Sequence, residues 1–130
     1  MASDPGQVAI DYITAVGQKD FDRLDALLHP DLVGWTGGQE FDRAAWAKAL
    51  QNFGLILLRN EIRQTIVDRD QVGIVYDFVT DTPVGVVPCA EIVTVQDGKI
   101  REARLVFEFA RWPEVMAELR KRATPLESDR

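Results

Sequence analysis

The hydrophobic period of the chain changes at Gly54, from the spacing of helices before it to the alternation of strands after it. That switch restricts the architecture more than any other feature. Alternating segments run at 56–68, 71–81, 86–96 and 99–110, with short turns at Arg69-Asp70, Thr82-Pro83 and Asp97-Gly98. Turns this short join antiparallel neighbours, so the second half reads as a meander. Within 71–81 the row Val72, Ile74, Tyr76, Phe78, Thr80 is more apolar than its alternate, and within 99–110 Ala103, Leu105, Phe107 and Phe109 contrast with Glu102, Arg104 and Glu108. The 86–96 segment carries an oddity. Val87, Cys89, Val93 and Val95 share one face, and Glu91 stands among them.

The first half supplies helices. Pro5 suits a first turn, and Val8, Tyr12, Ala15 and Val16 fall on one face of a helix over 5–17 that closes near Gly17. Asp20 caps a second helix carrying Phe21, Leu24, Leu27 and Leu28, stopped by His29-Pro30. Residues 31–36 are short and β-prone and lead into a turn at Gly37-Gly38. Asp42 caps a third helix to about Asn52, with Ala45, Trp46, Ala49, Leu50 and Phe53 as its apolar stripe, and Trp112-Pro113 opens a last helix to Arg122 with Val115, Met116 and Leu119 inward. Helices followed by a meander imply an α+β fold in which helices cover one face of a curved sheet.

At 130 residues with 46% hydrophobic content, the chain fits one domain over 1–130, with flexible ends at 1–4 and 123–130. Fifteen basic against 21 acidic residues, a net −6, oppose binding to nucleic acid or an anionic membrane. Neither a spanning apolar run nor a signal-peptide pattern is present, which makes a cytoplasmic setting the default expectation. With Cys89 and His29 as the lone residues of their types, no metal site is expected. No cofactor is expected either: there is no dinucleotide fingerprint, and Gly37-Gly38 lacks the Lys-Ser or Lys-Thr of a phosphate loop.

Glu91 is the leading candidate for chemistry. A carboxyl in an apolar row is a pocket acid with a raised pKa, a structural group satisfied by Tyr12 or Tyr76, or, if the strand's register is shifted, a solvent-facing charge. Those tyrosines could instead hold a ligand oxygen, and Trp35, Trp46, Phe53, Phe78 and Phe107 suit a flat apolar ligand, though each also suits a core. Cys89 reads as an inert thiol beside the pocket. His29 at a helix end can meet the last carbonyls, Asp77 and Glu108 face outward with Arg101 and Arg104 as partners, and Arg120-Lys121-Arg122 reads as a solvated helix end.

The element order, with Tyr12-Ile13-Thr14-Ala15-Val16, Asp20-Phe21, His29-Pro30-Asp31 and the hairpin AEIVTVQDGKI ending in LVFE, resembles the nuclear transport factor 2-like superfamily on its SnoaL-like and ketosteroid isomerase-like side. The resemblance implies a cone-shaped, cystatin-like antiparallel sheet wrapped around the N-terminal helices, and a homodimer through the outer face, where Val75, Val79, Ile92 and Val106 lie. It places Tyr12 and Glu91 at the two oxyanion donors of ketosteroid isomerases, whose second donor is an acid kept neutral by an apolar site. Thr36 falls at the position of the family base and Leu105 at that of the cyclase and epoxide hydrolase acid. Tyr76 and Phe78 match the arginine and aspartate of the epoxide hydrolases. Two functions follow as expectations. One is proton-transfer chemistry of isomerase, dehydratase or cyclase type on a small hydrophobic oxygen-bearing molecule, with Glu91 and Tyr12 catalytic and Tyr76, Thr36, Cys89, Leu105 and the aromatic residues binding. The other is non-catalytic binding of such a molecule by an accessory dimer.

Overall fold

The structure, a computed structural model, describes residues 4–108 and 110–123. Its elements in chain order are α1 (Pro5–Gln18), α2 (Phe21–Leu27), β1 (Leu28–Thr36), β2 (Gln39–Asp42), α3 (Arg43–Phe53), β3 (Leu57–Asp68), β4 (Gln71–Thr80), β5 (Val86–Gln96), β6 (Lys99–Phe107) and α4 (Trp112–Ala123). The six strands form one curved, open sheet in the order β2-β1-β6-β5-β4-β3, with the N-terminal helices against it. Of the ends expected to be flexible, Asp4 is the N-cap of α1 and Ala123 the last residue of α4, and the rest lie outside the described residues, as does Phe109.

β3 to β6 form the expected antiparallel meander. The Gln96-Asp97-Gly98-Lys99 turn has positive φ at both central residues, 56° and 72°, which matches the twist of the strands it joins. On β5, Val87, Cys89, Glu91, Val93 and Val95 are buried and Val86, Pro88, Ala90 and Ile92 are exposed. On β6 the register slips near Thr94 and Val95, so that Ile100 and Ala103 are both buried although three residues apart.

The chain departs from expectation between Leu27 and Asp42. α2 ends at Leu27, and β1 begins at Leu28 because the residue before Pro30 is pushed towards extended backbone and Leu28 pairs with Ile100. β1 is longer than the expected 31–36 and pairs parallel to β6, so the sheet is not wholly antiparallel. A short β2 follows the two-glycine turn, where a turn alone was expected, and pairs back on β1. α1 ends at Gln18, with Lys19 in the left-handed region at φ 59°.

α1 lies on the inner face of β3 to β6 and buries Val8, Ala9, Tyr12, Ile13, Ala15 and Val16 there. α3, capped by the Asp42 carboxylate on the Ala45 amide at 2.9 Å, sets Trp46 against β1. The contact is close: a Cβ on Gly34 would stand 2.3 Å from the Trp46 ring. α4 packs on α3 and buries Val115 and Leu119. Its last turn is not simply solvated, since Arg122 binds the Asp81 and Glu118 carboxylates and the Leu55 carbonyl. On the outer face Asp77 pairs with Arg63, not with Arg101 or Arg104.

The Gly34 contact generates a prediction. Gly34→Ala drives a methyl into the indole and lowers unfolding free energy by about 2–3 kcal/mol in urea titrations. Gly73→Ala, whose Cβ meets nothing nearer than 3.9 Å, changes it by less than about 0.5 kcal/mol. Equal losses in the two variants would refute the packing account.

Candidate functional site

Glu91 occupies the middle of β5, paired with Ile74 on one side and Leu105 on the other, and is 2% exposed. Burying a carboxylate in such a row is costly unless its oxygens are satisfied. Both are. Tyr12 on α1 donates its hydroxyl to Oε2 at 2.7 Å, and Tyr76 on β4 donates to Oε1 at 2.9 Å. Trp46 Nε1 in turn donates to the Tyr12 oxygen at 3.0 Å, so a chain of donors runs from α3 through α1 to the sheet. Two of the alternatives for Glu91, pocket acid and satisfied carboxyl, are therefore combined in one cluster.

Desolvation pushes the Glu91 carboxyl up to about 7, against the opposing pull of the two phenol donors. Burial first, and then the Glu91 charge, raises both tyrosines well above their ordinary value. The same two causes push the Cys89 thiol up to about 12, which leaves it unreactive. Near neutrality the group of this cluster that changes protonation is Glu91.

Glu91 opens onto a chamber of about 20 Å³, lined by Tyr12, Tyr76, Cys89, Phe53, Phe78, Leu105 and Phe107 from the expected set. The volume accommodates a water-sized group. Asn60 and Trp112 line it too, and neither was singled out from the sequence. Phe53, Phe107 and Trp112 also border a second cavity of about 410 Å³ beneath α4, together with Thr36, Phe41, Met116 and Leu119. These three rings form a cluster, with the Phe107 and Trp112 centroids 3.9 Å apart and those of Phe53 and Trp112 5.7 Å apart. They stand between the chamber and the larger groove.

Three expected pocket residues lie elsewhere. Trp35 falls on the outer parity of β1, where its Nε1 donates to Glu40 at 3.1 Å and the Arg104 guanidinium sits 4.2 Å above its ring. Thr36 donates its hydroxyl to the Leu105 carbonyl at 3.0 Å and borders the groove rather than the chamber. Trp46 stands behind Tyr12. His29 does not meet helix carbonyls: its Nδ1 accepts the Asp31 amide at 3.0 Å, and Nε2 lies 3.9 Å from Asp97. Among the described residues no group of three or more His, Cys, Asp or Glu could hold a metal ion, and no helix is long and apolar enough to cross a membrane.

The cluster makes stability depend on pH. Between about 4.5 and about 7 the folded protein keeps a proton on Glu91 that the unfolded chain has released. This group therefore adds most stability below about 4.5, and its contribution falls as pH rises through about 7. Urea midpoints from pH 4.5 to 8 should fall more steeply for wild type than for Glu91→Gln; parallel profiles would exclude a raised Glu91 pKa.

The SnoaL-like domain family matches residues 9–103. No curated protein matches the chain. Among solved structures, a protein from Kribbella flavida shares 24% identity and superposes with a TM-score of 0.79, covering 87% of this chain and 93% of its own. IdmH of Streptomyces antibioticus, a proposed polyketide cyclase, shares 16% identity at a TM-score of 0.72, covering 82% of this chain and 93% of its own. A nuclear transport factor 2-like protein of unknown function from Cytophaga hutchinsonii shares 9% at a TM-score of 0.70, covering 88% and 97%. At these identities the structures establish the fold alone, whereas the domain match spans most of the sequence. The chain belongs to the SnoaL-like family, on the nuclear transport factor 2-like fold.

Proposed function

We propose that this protein catalyses proton transfer, of isomerase, dehydratase or cyclase type, on a small hydrophobic molecule bearing an oxygen. The observation that carries the reading is a fully buried carboxyl held between two tyrosine hydroxyls at the wall of an apolar chamber. A base works best with a pKa near the working pH, and burial brings Glu91 to about 7. Thr36, at the position of the family base, bonds to a backbone carbonyl outside the chamber, so Glu91 alone supplies the acid–base group. The chamber admits only the reacting end of a molecule, and the body fits the groove beneath α4, whose volume is within the range of small-molecule sites. Entry requires Phe53, Phe107 and Trp112 to part.

In this reading ionised Glu91 takes a proton from a carbon beside a carbonyl. The C–H electron pair moves into the carbon–carbon bond of the enolate as charge develops on its oxygen. A tyrosine hydroxyl released from Glu91 donates to that oxygen. The proton on Glu91 then returns to carbon, or to a departing hydroxyl in a dehydration. A second reading, binding without turnover, is supported by the two bonds themselves, because a carboxylate that already accepts from two phenols is satisfied.

α-Proton exchange of 2-tetralone in deuterated water separates the two. Catalysis predicts wild-type acceleration that rises through pH 7 and falls at least ~100-fold in Glu91→Gln. Ketone binding, detected by tryptophan quenching, without accelerated exchange would sink the catalytic reading and leave the binder.

We propose a second copy of the chain as the partner of the outer sheet face. Val75, Ala90 and Val106 form one cross-strand row there, with exposed Ile92 in the next, whereas Val79, expected in the same patch, is buried. An exposed apolar row of this kind suits a self-complementary interface. Light scattering at micromolar concentration should give a dimer for wild type and a monomer for Ile92→Asp/Val106→Asp; a monomeric wild type would refute it.

A further inference from the structure

We infer that Asn60 sets the specificity of the Glu91 chamber, and that the molecule reaching it presents a hydrogen-bond donor, an alcohol, phenol or enol hydroxyl, to Asn60 Oδ1. The inference rests on the reading of the chamber as a substrate site and adds which oxygen chemistry it selects.

The placement of Asn60 begins with Gly17. A Cβ at Gly17 would stand 2.7 Å from the Asn60 backbone nitrogen, so its absence lets β3 approach α1 at this point. The Asn60 amide then donates from Nδ2 to the Ile13 carbonyl at 3.0 Å. That bond fixes the orientation of the amide, because the flipped arrangement would set Oδ1 against a carbonyl oxygen. Oδ1 is left buried with no protein donor, the one buried side-chain polar atom among the described residues in that condition. Buried acceptors are rarely left unmet in folded proteins.

The rest of the wall explains why this atom decides. Both Glu91 oxygens already accept from Tyr12 and Tyr76, and most other lining side chains are apolar. A hydroxyl entering the chamber therefore finds in Asn60 Oδ1 the buried acceptor that has no bond of its own, whereas each Glu91 oxygen already has one. A methyl ether of the same shape brings no donor and leaves Oδ1 unmet, which a site built to bond a hydroxyl penalises. The chamber, about 20 Å³, has room for one such group while the rings of the ligand lie among Phe53, Phe107 and Trp112.

The test compares 2-naphthol, which carries a donor hydroxyl, with 2-methoxynaphthalene, which does not, by tryptophan quenching in wild type, Asn60→Leu and Glu91→Gln. Wild type should prefer the naphthol by about tenfold. The preference should drop below about twofold in Asn60→Leu and survive in Glu91→Gln. Should Asn60→Leu fail to fold, the side-chain amide resonance of Asn60 in labelled wild type takes its place: naphthol must shift it and the ether must not. A preference that disappears in Glu91→Gln but persists in Asn60→Leu would assign the donor to Glu91 and overturn the inference while leaving proton transfer in place. Equal binding of the two probes overturns the inference alone, and binding of neither overturns it together with the reading beneath it.

Discussion

A carboxylate buried in the apolar face of a sheet must find donors, and the arrangement of this protein's first half follows from how Glu91 finds them. One donor, Tyr76, comes from the neighbouring strand, a diagonal step from Glu91 in the β4–β5 register. The other, Tyr12, comes from α1, which must cross the inner face at the right depth and rotation to place a hydroxyl 2.7 Å from Oε2. α3 then has to bring Trp46 within reach of the Tyr12 oxygen, and it does so only because Gly34 on β1 has no side chain in the way. One polar requirement thus ties two helices, α1 and α3, to strands of the meander. Hydrogen-bond geometry specifies what hydrophobic packing alone leaves loose.

The elements that were legible in the sequence are those in which one face is buried and the other wet. β4, β5 and α1 have this contrast, so their inward rows, and Glu91 as an exception within one of them, could be read from alternation and helical spacing. β1 was opaque because it lacks that contrast. Trp35 and Thr36, both expected to bind a ligand, lie on opposite parities and are both half-buried, and the indole lies outside under Arg104. The parallel pairing of β1 with β6 joins residues some 70 positions apart, which no local pattern encodes. Asn60 escaped notice for a related reason: β3 is an edge strand with little burial, so an inward amide on it has no apolar row to stand out from.

The closed state of the chamber has its own electrostatic logic. Glu91 owes its raised pKa chiefly to desolvation, and Phe53, Phe107 and Trp112 belong to the largely apolar wall around it. Admitting water freely would return the group towards its ordinary value. In the proposed function, a ligand whose apolar body replaced the displaced rings would preserve the dry surroundings while its oxygen took the position by Asn60 and Glu91. The groove beneath α4, bordered by Phe41, Met116 and Leu119 as well as the cluster, offers such a body an apolar bed.

The two tyrosines are not equivalent in this cluster, and the difference follows from counting donors. An ionised carboxylate accepts from both hydroxyls, but a protonated one carries a hydrogen of its own and must place it on an acceptor. Both hydroxyls donate to Glu91, but the Tyr12 oxygen also accepts from the Trp46 indole. When Glu91 takes up a proton, Tyr76 is the partner that can turn from donor to acceptor, and its own hydrogen is then turned towards the chamber. With a ligand oxygen in the chamber, as proposed, proton arrival at the carboxyl and presentation of a donor to that oxygen would be one event. In the proposed reaction that coupling would let a single acid serve where the resemblance puts Thr36 at the position of the base: Glu91 would move the proton, and Tyr76 would answer the charge that the movement creates.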